Sequence, residues 1–97
     1  MGVLESRIEQ LLVRLVRGAG GTTFKFNSVG NDGVPDRIVV MPGGRIYFVE
    51  LKTVTGRPSK LQLAQGARLR KLGCSFRVLY GEMDVRRFVD EVTGDAV

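Results

Sequence analysis

From Val3 to Val16 the apolar residues Leu4, Ile8, Leu11, Leu12, Leu15 and Val16 recur at helical spacing, and Gly18, Gly20 and Gly21 then end the run. The pattern predicts a first helix. Thr22 to Ser28 alternates instead, with Phe24 and Phe26 on one face and Thr23, Lys25 and Asn27 on the other, as a half-buried strand does. A turn-rich stretch, Gly30-Asn31-Asp32-Gly33, leads to Pro35 and then to Asp36-Arg37-Ile38-Val39-Val40-Met41, whose unbroken apolar centre predicts a strand covered on both faces. Pro42-Gly43-Gly44 reads as a tight turn rather than a phosphate loop, so Arg45 to Thr53 is expected to fold back as the hairpin partner. Ser59 can cap a second helix reaching about Leu72 and closed by Gly73. Ser75 to Tyr80 reads as a last strand. Met83 to Val92, with Val85, Phe88, Val89 and Val92 in helical phase, reads as a terminal helix, with Thr93 to Val97 expected to fray. The predicted order is α-β-β-β-α-β-α, an α/β fold in which helices flank a mixed four-stranded sheet. Tyr47, Phe48, Phe76 and Phe88 follow the periodicities and are expected in the core, and Cys74 is expected as a small buried apolar residue.

Composition narrows the chemistry. A chain of 97 residues is expected to form one domain, 1–97, around one core. No apolar run approaches the roughly 20 residues that cross a bilayer, and Met1 to Arg7 lacks the pattern of a signal peptide, so a cytoplasmic protein without a membrane partner is expected. Fifteen Lys and Arg against ten Asp and Glu give a net charge of +5, which suits a polyanion but equally suits mere solubility. The single cysteine excludes an internal disulfide. With no histidine at all, the common zinc sites and every mechanism with a histidine base fall away. A bound metal would have to be held by oxygen, which points to magnesium, manganese or calcium. No G-x-x-x-x-G-K-[ST] loop is present, which argues against a nucleotide hydrolase, and no small-molecule cofactor is expected.

Against that background three residues stand out. Asp36 opens one hairpin strand, while Glu50 and Lys52 lie two apart near the end of the other and share a face, so the three can converge. Two carboxylates at a strand end can hold a hard cation and leave room for water and a phosphate. A lysine beside them can orient water and offset charge building on phosphorus. The competing reading is a solvated salt bridge on an amphipathic hairpin. Ile46-Tyr47-Phe48-Val49-Glu50-Leu51-Lys52, however, sets two charges in an apolar strand, where unpaired burial costs several kcal/mol.

The segments Gly33-Val34-Pro35-Asp36-Arg37, Phe48-Val49-Glu50-Leu51-Lys52, Ser59-Lys60-Leu61-Gln62 and Leu72-Gly73 closely resemble the VRR-NUC branch of the PD-(D/E)xK nucleases, over nearly the whole chain. The resemblance is to the stand-alone phage and bacterial members, which would place the protein in a bacterial or phage-infected host cytoplasm. It implies a restriction-endonuclease-like core, Asp36 and Glu50 as ligands of Mg2+ or Mn2+, the backbone carbonyl of Leu51 as a further ligand, and Lys52 as the catalytic lysine. In the related Holliday junction resolvases a glutamate on the N-terminal helix, about three turns before a glycine, is also a ligand. Glu9 relative to Gly20 fits that spacing better than Glu5, although Glu9 could instead pair with Arg7 or Arg14. Gln62 matches the glutamine of the family's S-x-x-Q element, near the lysine, yet Ser59 and Gln62 are also spaced as a capping box, and the two roles are compatible. Gln65 is a weaker candidate. Lys25, Arg37, Arg57 and Lys60 flank these segments and are candidate contacts to DNA phosphates.

The expectation is therefore an endonuclease on DNA. No recognition module is visible, so shape rather than base sequence should select the substrate. Symmetric cutting of a branched junction needs two active sites, which a homodimer provides, so a Holliday-junction-cleaving homodimer leads. Flap cleavage, nicking, or a non-catalytic nucleic-acid-binding module on the same fold are the alternatives, the last disfavoured by the presence of Asp36, Glu50 and Lys52 together.

Overall fold

The computed structural model describes residues 2–94. Its elements follow the order α1 (Val3–Gly18), β1 (Thr22–Lys25), β2 (Arg37–Met41), β3 (Arg45–Lys52), α2 (Lys60–Lys71), β4 (Ser75–Tyr80) and α3 (Gly81–Gly94). The strands lie in one sheet in the order β1-β2-β3-β4. The first two pairings are antiparallel, and β3 pairs parallel to β4, with α2 as the crossover. The sheet is mixed and helix-flanked, as the sequence pattern requires.

Burial places the core on one side of the sheet. Ile8, Leu11, Leu12 and Val16 of α1 and Val85, Phe88, Val89 and Val92 of α3 pack over Val39, Met41, Tyr47, Val49, Leu51 and Leu79. The rings of Tyr47 and Phe88 meet edge to face at 5.5 Å. On the other side α2 lies over β4, so closely that a Cβ on Gly66 would overlap the ring of Phe76. That helix leaves much of β1 to β3 uncovered: Phe24 and Ile46 are exposed, and Ile38, Val40 and Phe48 are half-buried. Phe48, expected in the core, instead packs a tilted ring against Phe26 at 5.9 Å. Cys74 is likewise only partly buried.

Three expectations about the elements change. The first strand ends at Lys25, not Ser28, and the face that turns inward is that of Thr23: Phe24 is 58% exposed while Thr23 is buried. Thr23 turns inward because its hydroxyl donates to the Ile38 carbonyl (2.8 Å) and accepts from Arg37 Nε (3.1 Å). The second strand is not covered equally on both faces. Arg37, Val39 and Met41 are buried on the α1 side, and Ile38 and Val40 are only half covered. The terminal helix starts two residues earlier, at Gly81, and Thr93 and Gly94 remain helical rather than frayed, while 95–97 lie outside the described residues.

Candidate active site

The antiparallel register sets Arg37 opposite Val49, which brings Asp36, one residue before β2, beside Glu50 near the end of β3. Asp36 is fixed by the backbone of β3: its Oδ2 accepts from the Leu51 amide at 2.8 Å. The loop before it is held against α2. Gly33 has φ +80°, and a Cβ there would run into Leu61, so only glycine lets the chain pass this close to the start of the helix. Gln65 Nε2 donates to the Asp32 carbonyl at 3.3 Å and ties the same loop down, away from the carboxylates.

Glu50 is 1% exposed, a rare situation for a carboxylate unless it is paired. Its Oε2 accepts from Gln62 Nε2 at 2.8 Å and faces Lys52 Nζ at 3.2 Å. Its Oε1 is also buried and has no hydrogen-bond partner among the described residues. Burial, and then the charge of Asp36, push the Glu50 carboxyl up from 4.5 to about 7, against the opposing pull of Lys52. The Lys52 side chain remains 22% exposed, so its ammonium can reach both Glu50 and a bound molecule.

Gln62 makes the helix cap and a contact to the carboxylate at once. Its Oε1 accepts from the Ser59 amide (2.8 Å) and its own amide donates to Ser59 Oγ (3.1 Å), completing the capping box of α2, while its Nε2 holds Glu50. The helix cap and the carboxylate are thus joined through one side chain.

These groups line a cleft of about 200 Å³ walled by Glu5, Glu9, Asp36, Glu50, Leu51, Lys52 and Gln62. Both helical glutamates reach its wall. Glu9, however, pairs with neither Arg7 nor Arg14: its Oε2 meets Arg37 Nη1 at 3.1 Å. This corrects the placing of Arg37 among surface phosphate contacts. The arginine is 9% exposed, lies on the α1 side of the sheet, and spends its donors on Glu9 and on the hydroxyl and carbonyl of Thr23. A signal for this was present in the sequence, since Arg37 shares strand phase with Val39 and Met41. Lys25, Arg57 and Lys60 are exposed, with Arg57 Nη1 donating to the Gly56 carbonyl at 2.7 Å.

The donor set suits a hard divalent cation. Every candidate ligand is oxygen, and the orphaned Glu50 Oε1 beside Asp36 is a buried acceptor that a cation would satisfy. Among the described residues no three acidic, cysteine or histidine side chains are drawn together as a ready cage. An ion here would rest mainly on Asp36 and Glu50 and draw its other oxygens from backbone, solvent or phosphate.

No family model matches the chain. A curated relative called "Putative nuclease p44", from Acyrthosiphon pisum secondary endosymbiont phage 1, is 47% identical over 77 residues, spanning 79% of this chain and 83% of its own length. A solved structure described as "VRR_NUC domain" superposes with a TM-score of 0.86 at 29% identity, covering 92% of this chain and 97% of its own. Another, "VRR_NUC domain protein", superposes with a TM-score of 0.73 at 14% identity over 94% and 88% of the two chains, a likeness of fold.

Proposed function

The chain belongs to the VRR-NUC family, and from that premise we propose that it is a metal-dependent DNA endonuclease whose hydrolytic centre is Asp36, Glu50 and Lys52. The observation that carries this reading is Glu50: a fully buried carboxylate with one orphaned oxygen, next to a second carboxylate and within 3.2 Å of a lysine that still reaches solvent. A protein that needed only stability would gain little from such a group, since burying a charge without full compensation costs several kcal/mol. Perturbed acids in a cleft are the mark of a working site.

Asp36 and Glu50 would hold magnesium or manganese, with the Leu51 carbonyl and Glu9 at the same cleft as further oxygen donors. The ion would supply Lewis acidity toward the phosphodiester and a more acidic water. The protein's own contribution is positional. Gln62 and Lys52 both engage Glu50 Oε2, which leaves Oε1 turned away from them. Lys52 orients the attacking water and offsets the negative charge that grows on the phosphoryl oxygens, a role that needs its head group both anchored and accessible.

The substrate is a branched DNA, cut by a homodimer in the manner of a Holliday junction resolvase. Supporting self-association is the uncovered sheet face, where Phe24, Ile38 and Phe48 lie in one cross-strand row and Val40 and Ile46 in the next. Apolar positions so grouped commonly mark an interface, and a two-fold axis would supply the paired sites that symmetric incision requires. The test is incubation of the purified protein with labelled junction, flap, duplex and single-stranded DNA in magnesium or manganese, alongside sedimentation. Cleavage lost in Asp36→Ala, preference for the junction and twice the chain mass are expected. Cleavage retained in Asp36→Ala would overturn the assigned centre, and a monomer making paired nicks would overturn the dimer.

A further inference from the structure

Glu9, whose carboxylate holds Arg37, lines two hollows at once. One is the cleft just described; the other is an open groove of about 430 Å³ along α1, whose walls also include Gln10, Val13, Arg14, Arg17 and Arg37. Gln10 and Arg14 are shared in turn with a third hollow that reaches Arg7 and, across the contact with α3, Arg86, with Glu82 as its one acid among the described residues. The cleft therefore opens onto a continuous arginine-bearing surface.

The sequence of α1 makes this surface. Gln10, Arg14 and Arg17 are spaced four and three apart, so they stack on one stripe of the helix beside the buried stripe of Ile8, Leu11, Leu12 and Val16. Gln10, Arg14 and Arg17 are exposed, and neither arginine has an acidic partner among the described residues. Only the buried arginine at the groove's inner end, Arg37, is neutralised, by Glu9. Among the described residues no aromatic side chain lines the groove, so it offers nothing on which a base could stack. Positive charge without stacking platforms suits the phosphate backbone.

We infer that the α1 groove is the path of the DNA backbone leaving the cleft, with Arg14 and Arg17 as its phosphate contacts. This rests on the nuclease reading for the identity of the polyanion. Glu9 to Arg17 is eight residues, about 12 Å at the helical rise, which matches the axial span of roughly three to four nucleotides of one strand in a duplex. The strand thus runs along the helix on the side of the sheet away from α2.

Affinity for a labelled duplex in calcium, followed as salt is raised from about 50 to 200 mM, tests this path directly. Each lost phosphate contact flattens the plot of log affinity against log salt by about 0.9, so Arg14→Gln with Arg17→Gln should reduce the slope by about 1.8 and either alone by about half that. The charge-matched pair Arg68→Gln with Lys71→Gln, exposed on α2, should leave the slope unchanged. Arg14→Lys with Arg17→Lys should retain most of it. Melting temperatures close to wild type are expected throughout, because these side chains are exposed, and glutamine and lysine are good helix formers. Equal slopes for the α1 and α2 pairs overturn the path even if the protein cleaves DNA. A flattened slope with no cleavage by the wild type in magnesium or manganese overturns the nuclease reading while the path stands, and a wild type that binds no DNA overturns both.

Discussion

Replacing Glu50 with glutamine should end cleavage and at the same time make the metal-free protein more stable above neutral pH. The carboxyl is displaced from 4.5 to about 7 by burial and by Asp36, so between those values the native state keeps a proton that the unfolded chain has released. Stability must therefore fall as pH rises through this window, with the whole penalty present above about pH 7 and none below about 4.5. At about 1.4 kcal/mol per pH unit, the displacement amounts to roughly 3 kcal/mol. Glutamine does not ionise, and its side-chain oxygen can still accept from Gln62. The opposing pull of Lys52, whose head group is partly exposed, is already contained in the displaced value. A gain of about 3 kcal/mol corresponds to a rise in Tm of roughly 12 to 24 °C for a domain of this size. Thermal melts of both proteins with EDTA, at about pH 5 and about pH 8, would measure it. The gap should be small or reversed at the lower pH and open at the higher one. A variant no more stable at the higher pH, or a gap that does not widen between the two, would refute the account of Glu50 as a strained, metal-ready carboxylate.

Lys52→Met should lower cleavage in magnesium by about 10² to 10⁴-fold while junction binding in calcium falls far less, because one lysine is a small share of the phosphate contacts. Parallel losses would reduce it to a phosphate anchor. Glu9→Gln should reduce activity more than Glu5→Gln in the same assay, since Glu9 also holds Arg37; equal losses would remove it as the preferred helical ligand. Gly66→Ala should destabilise by about 1 to 2 kcal/mol in urea unfolding, the clash with Phe76 outweighing the better helix propensity of alanine, and an unchanged midpoint would mean that the ring can move aside.

The hairpin and its three polar residues were legible because strand parity is a local rule. Asp36 before β2 and Glu50 and Lys52 on β3 needed only a short turn at Pro42-Gly43-Gly44 to face one another. The capping box at Ser59 was local in the same sense. Contacts between distant elements were harder. Alternation correctly separated Phe24 from Thr23, but which face turns inward was decided by Arg37, whose burial requires a hydroxyl, a carbonyl and a carboxylate from β1 and α1. Arg37 itself looked like a surface cation because arginine usually is one. The link between Gln62 and Glu50 spans two elements that meet only once α2 has crossed back over the sheet, so spacing along the chain carried no trace of it.

In the proposed metal centre Gln62 would also have a bearing on ion choice. Its amide cannot flip, because the oxygen is engaged by the Ser59 backbone and the nitrogen by Glu50, so the same Glu50 oxygen is always claimed. The carboxylate thus offers the cleft one tooth instead of two. Calcium commonly draws on both oxygens of a carboxylate in an expanded shell, whereas magnesium demands a compact octahedron. In the proposed metal centre, a side chain that begins a helix would therefore also act as a size filter, tilting the cleft toward the smaller ion.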